Sequence, residues 1–126
     1  MSSFQQGPPP ASSSNTNDPT ANQSYVNNLQ FNSVSFPYTT QQSDNGSCIY
    51  SGSGTNTATI AAGYGNNATL AFVNMSAGAM TINSASDPIV LAGSGATGTR
   101  TLTQYGVATF VKMPSGSWLA SGTNLS

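Results

Sequence analysis

Val107-Ala108-Thr109-Phe110-Val111-Lys112-Met113-Pro114-Ser115-Gly116-Ser117-Trp118 reads as a strand, a tight turn and the start of a second strand. β-Branched and aromatic residues fill its first half. Val107, Thr109, Val111 and Met113 alternate with Ala108, Phe110 and Lys112, so the two sets fall on opposite faces. Pro114-Ser115-Gly116-Ser117 carries turn chemistry, with Gly116 suited to a left-handed position, and the chain returns as a hairpin. Trp118 is the single Trp. Beside a tight hairpin it is expected as a core anchor.

The same grammar extends upstream. Short β-branched and aromatic runs predict strands near 33–39, 47–51, 57–61, 68–74, 79–82, 88–91, 99–103, 107–113 and 117–121. Turn signals part them at Asp44-Asn45-Gly46, Gly52-Ser53-Gly54, Gly63-Tyr64-Gly65-Asn66-Asn67 and Gly93-Ser94-Gly95. In Ala68-Thr69-Leu70-Ala71-Phe72-Val73 both alternating sets are apolar, so this strand is expected to be covered on both sides. Phe72 and Phe110 join Trp118 as core anchors. No segment carries a capped 3.6-residue apolar period. The expected fold is all-β, a small antiparallel sandwich or barrel-like domain over 31–126.

Residues 1–30 differ. They are nearly free of large apolar side chains and contain Pro8-Pro9-Pro10 and Ser12-Ser13-Ser14. Such a segment cannot bury enough surface to offset its ordering entropy alone. The Pro triplet favours polyproline II geometry. An extended N-terminal arm is expected, spanning at most ~100 Å. Phe4, Pro8, Pro9, Pro10, Tyr25, Val26, Leu29 and Phe31 are its candidate partner-binding residues.

Composition narrows the function. Of 126 residues five are charged, two Lys+Arg and three Asp+Glu, and none is His. Binding driven by phosphate neutralisation needs clustered cations, so nucleic acid is not an expected partner. Histidine chemistry and histidine metal sites are excluded. Asp18, Asp44 and Asp87 are scattered, so neither a catalytic residue nor a metal site nor a cofactor is expected. No apolar run approaches the ~18–20 residues that span a bilayer, and the N-terminal stretch lacks signal-peptide character. One Cys, Cys48, permits no intrachain disulfide. Without a His to activate it, it is expected as a small buried hydrophobe. Synthesis in a reducing cytoplasm fits.

The run Leu102-Thr103-Gln104-Tyr105-Gly106-Val107 through Trp118-Leu119-Ala120-Ser121-Gly122 resembles a recurrent ending of small β-domains in tailed-bacteriophage structural proteins. There a Tyr-Gly-type turn leads to an Ala-Thr-Leu-Val-Lys strand, a short turn, then Trp, an aliphatic residue and Gly. Tyr38-Thr39-Thr40 before Asp44-Asn45-Gly46, Thr57-Ala58-Thr59-Ile60 and Met80-Thr81-Ile82 are similar to upstream parts of such domains. The resemblance covers 36–125 and leaves out the arm. It implies a virion location and a homotrimer. Strands with two apolar faces agree, because a second copy would bury the excess.

The leading expectation is a capsid decoration (cement) protein. Its β-domain would project from the head, and its arm would clasp neighbouring copies of the major capsid protein. No fixed-period repeat of the kind a fibre shaft carries is found. The alternative is a tail or head fibre domain that binds host-surface glycan, with Tyr64, Tyr105 and Trp118 as stacking faces and 63–67 supplying hydrogen bonds. A glycosidase built on Asp44 and Asp87 is the remotest reading, because both look like turn residues.

Overall fold

The computed structural model describes residues 30–52 and 56–126. The arm residues Phe4, Pro8, Pro9, Pro10, Tyr25, Val26 and Leu29 lie outside the described residues. The remainder is all-β, with strands β1 (Gln30–Ser33), β2 (Tyr38–Thr39), β3 (Ser47–Ser51), β4 (Asn56–Ile60), β5 (Thr69–Asn74), β6 (Met80–Ser84), β7 (Ile89–Leu91), β8 (Arg100–Lys112) and β9 (Trp118–Leu125). A single 3₁₀ turn, Gln42–Asp44, sits between β2 and β3.

These strands form a curled mixed sheet, ordered β1-β3-β5-β8-β6-β4-β2, with β9 pairing β8 and β7. The chain alternates between two wings. One holds β1, β3 and β5, paired in parallel. The other holds β2, β4 and β6, also parallel. Long β8 closes both. Its residues Gly106 to Val111 run antiparallel to β5, and Arg100 to Leu102 antiparallel to β6. β9 folds back along β8, and β7 pairs β9 in parallel, so both extend the first wing.

The expected antiparallel arrangement is therefore corrected. Parallel strands need a long crossover, usually a helix, and the sequence carries no helix signal. Here the crossover is itself a strand. β4 carries the chain from β3 to β5, and β3 carries it from β2 to β4. The windings also lack a fixed sequence period. Gln30 stands beside Ser47 and Cys48 beside Ala71 in one wing; Tyr38 stands beside Ala58 and Asn56 beside Met80 in the other.

Two expected strands merge and one splits. The run 33–39 breaks at Pro37, whose nitrogen has no proton to give a ladder, and β1 and β2 enter different wings. The runs 99–103 and 107–113 are one strand with an irregularity between Leu102 and Val107. Tyr105 there takes φ 65, the left-handed conformation that a turn reading anticipates. The strand bends without reversing. Asn74 fills the corner, fully buried, donating to the Leu102 carbonyl at 2.9 Å and the Gly78 carbonyl at 2.8 Å.

Both wings turn their inner sides to one core. It gathers Ile49, Leu70, Phe72, Ala108, Phe110, Trp118 and Ala120 from the first wing and Ala58, Ile60, Met80, Ile82 and Leu102 from the second. Phe72 and Phe110 meet edge to face with centroids 5.2 Å apart. Tyr64 meets Trp118 similarly at 5.4 Å. Each such pair adds ~0.5–1.5 kcal/mol beyond its area burial. The β8–β9 hairpin turns at Gly116, which adopts φ 93, and Met113 pairs with Ser117 across it. Gly122 has a different duty. A Cβ there would collide with the Val107 carbonyl oxygen and the Ala108 Cα, so the two strands approach only because none is present.

Candidate functional site

The first wing's outer side is largely apolar, with Ser and Thr interspersed. Strand registers set its residues in rows, because directly paired residues point to one side of a sheet. One row runs Phe31, Cys48, Ala71, Thr109, Ser121. A second runs Ser33, Tyr50, Val73, Val107, Thr123. A third runs Thr69, Val111, Leu119, Val90. Phe31 is 65% exposed, Val107 48% and Leu119 37%. The Phe31 and Tyr50 rings meet edge to face at 6.2 Å. At the β7–β9 end, Val90, Met113, Trp118 and Leu119 line an open hollow of about 180 Å³.

The second wing's outer side is hydroxylated. Thr57, Thr81 and Thr101 form one row, and Thr39, Thr59 and Asn83 another. No large apolar side chain stands in either. Both outer faces are built on strands whose inner residues belong to the same core.

Neither face carries an ion. The described charged residues are Asp44, Asp87, Arg100 and Lys112. Asp44 is 1% exposed. It accepts hydrogen bonds from Asn32 Nδ2 (2.5 Å), the Tyr38 hydroxyl (2.6 Å) and the Gln41 amide (2.8 Å). Asn32 lies in β1 and Tyr38 in β2, so one carboxylate joins the leading strands of both wings. Burial, then the Asp44 hydrogen bond and charge, push the Tyr38 hydroxyl far above its ordinary range. The Tyr64 hydroxyl donates to the Gln41 carbonyl and lies 2.9 Å from Thr40 Oγ1. Its pKa is raised too, mainly by burial.

Lys112 is the second polar hub. Its ammonium donates to Asp87 Oδ2 and to the Tyr64 carbonyl, each at 2.9 Å, and lies 5.7 Å from the Trp118 ring centroid. Arg100 is buried and donates to the Gly98, Thr99 and Thr97 carbonyls. Alternation on β8 places Lys112 inward with Ala108 and Phe110, a burial that only a paired ammonium tolerates. Sequence reading missed both hubs. Asp87 reads as a strand-entry residue because Lys112 lies far along the chain, and Asp44 reads as a turn residue because no local pattern marks the fold of Asn32, Tyr38 and Gln41 around it.

The other sequence-selected residues fall as follows. Trp118, Phe110 and Phe72 are fully buried. Tyr64 is 4% exposed and Trp118 fully covered, so neither offers a ring face to a sugar; Tyr105 is exposed. Asp44 and Asp87 belong to separate hydrogen-bonded clusters. Cys48 is buried on the outer side of β3, and burial pushes its thiol up to about 11. At neutral pH it stays protonated and unreactive. Phe31, from the arm's proposed contact set, stands on the apolar face.

No family model matches the chain, and no curated protein matches it significantly.

Chemically, this arrangement offers an uncharged surface. An ion-free face of valine, phenylalanine, tyrosine and leucine gains free energy by leaving water, at roughly 25 cal/mol per Å² of apolar area. It has no charged group to desolvate in doing so.

Proposed function

We propose that the chain is a structural virion protein, a decoration protein that binds the outside of a bacteriophage head as a homotrimer. The observation that carries the reading is the apolar, ion-free outer face of the first wing, on a domain whose described charges are buried or paired. A protein so made works by contact with other protein. The resemblance of 102–122 to virion β-domains supplies the setting, and those residues form the β8–β9 hairpin that closes both wings.

The mechanism is thermodynamic. A ligand that binds only the assembled shell stabilises it by mass action. Each trimer would bring three arms, with Phe4, Pro8, Pro9, Pro10, Tyr25, Val26 and Leu29 meeting the major capsid protein. Once one arm is seated, the others bind at high effective concentration.

Deleting residues 1–29 tests this. The cut stops short of Gln30, which pairs with Ser47 in the β1–β3 ladder. The shortened protein is expected to keep its β circular dichroism and its unfolding midpoint. Its retention on purified heads, measured by co-sedimentation, should fall at least about tenfold, since effective concentration is what the arms supply. Retention equal to that of the full chain would overturn the clasp.

A further inference from the structure

We propose that the outer face of the first wing, β7-β9-β8-β5-β3-β1, is the surface on which a second copy of this chain packs. The inference rests on the reading of the chain as a self-assembling virion protein and gives that assembly its contact residues.

Exposed apolar side chains are gathered rather than scattered. Among the described residues the large exposed ones are Phe31, Met75, Tyr105, Val107 and Leu119. Phe31, Val107 and Leu119 stand on this face. Met75 and Tyr105 flank its end, next to the paired Asn74 and Gly106. Gathered apolar area of this kind marks an interaction surface.

Charge favours a copy of the same chain as the occupant. Asp44, Asp87, Arg100 and Lys112 are buried or paired away from the face. A partner selected by charge would find nothing there to pair with. A second copy presents the same uncharged surface, so the two meet without repulsion and without burying an ion.

The area suffices. Six strands at ~4.8 Å spacing and about six residues of ~3.3 Å rise give roughly 500–600 Å² per copy. Two copies bury ~1,000–1,200 Å² together, the lower bound of a specific interface. The shape is also suited. Phe31 projects at the β1 edge, and the hollow between Val90, Met113 and Leu119 opens at the opposite edge. When the same face is buried on both copies the contact is two-fold, and the projecting edge of each copy lies over the recess of the other.

Sedimentation velocity on the purified full-length protein tests the inference. The wild type is expected to sediment as an oligomer at micromolar concentration. Val107→Lys sets a cation at the middle of the face and should weaken association about 100-fold or more, while circular dichroism stays that of folded β. Thr57→Lys, on the other wing's outer side, should assemble as the wild type does. A monomeric wild type, or a Val107→Lys variant that associates normally, would overturn the proposal. If Val107→Lys unfolds, hydroxyl-radical footprinting of the wild type decides. Protection of Phe31, Val107 and Leu119 on raising the concentration supports the interface, and unchanged labelling overturns it. Head binding is measured separately. A monomer that still binds heads defeats this interface and the homotrimer but leaves the decoration role, whereas an oligomer that ignores heads defeats the decoration role alone.

Discussion

The two outer faces of this domain are built on similar strands and carry opposite chemistry. Thr57, Thr81 and Thr101 make a hydroxyl row across the second wing. Tyr50, Val73 and Val107 make an apolar row across the first. Beneath them lies one shared core, with Ile82 and Leu102 on one side and Phe72 and Phe110 on the other. The inner residues answer to the fold and the outer ones to the surroundings. A threonine ladder suits water; a valine and aromatic ladder suits another protein. The same strand can hold both instructions, since adjacent residues point in opposite directions.

The largest expected effect uses that adjacency. Phe110 and Thr109 are neighbours on β8, one buried and one exposed. Phe110→Ala should cost about 3–5 kcal/mol of folding stability, through lost burial and a cavity beside Phe72. Thr109→Ala, on the outer face, should cost less than about 1 kcal/mol. Urea unfolding of the two variants checks it. Similar losses would mean that the two sides of β8 do not divide the work between core and contact.

This division was partly legible in the sequence. Alternation in Val107 to Met113 separates the two faces of β8, and the Pro114 to Ser117 turn marks the hairpin. Pairing direction was not legible, because a strand alternates identically whether its neighbour is parallel or antiparallel. Gly52-Ser53-Gly54 reads as a turn signal, which does not say that β4 leaves β3 for the other wing. Tyr105-Gly106 reads as a turn and is a bend within one strand, since a left-handed residue serves either purpose. The Asp44 cluster was invisible for another reason. Its donors, Asn32, Tyr38 and Gln41, are near in sequence, but no periodic pattern says that the chain folds them around one carboxylate. The apolar face was half visible. Its share on β5, Ala71 and Val73, was read as needing cover, but Phe31, Tyr50, Leu119 and Val90 join it only through register.

A smaller effect comes from the thiol sunk in the apolar face. Cys48 holds its proton more tightly in the folded protein, with its pKa raised by burial from 9.0 to about 11. Above pH 9 the unfolded chain therefore binds fewer protons than the folded one, and stability falls as pH rises. The contribution is complete below pH 9 and is lost progressively up to about pH 11, roughly 2–3 kcal/mol in all. Tyr38 and Tyr64, both raised, steepen the fall at higher pH. Denaturant unfolding from pH 7 to pH 11 should show a level stretch and then a decline. Cys48→Ala should remove the first part of that decline. A wild type equally stable at pH 8 and pH 10.5 would mean the thiol is not sealed.

The smallest effect on folding, and the sharpest use of the comparison, lies in the other wing. Thr81 sits in the middle of its hydroxyl row, partly exposed, between Thr57 and Thr101. Thr81→Val keeps the branched shape and the strand preference. The single variant should match the wild type within about 0.5 kcal/mol and assemble no differently. Replacing Thr57, Thr81 and Thr101 together by Val should also leave the core intact. It would, however, lay a continuous apolar strip on a face that lacks one. If outer-face chemistry decides association, the triple variant gains a new apolar contact and sediments as larger species than the wild type does. If it sediments as the wild type does, apolar surface alone does not explain adhesion, and the recess and projection of the first wing must carry it.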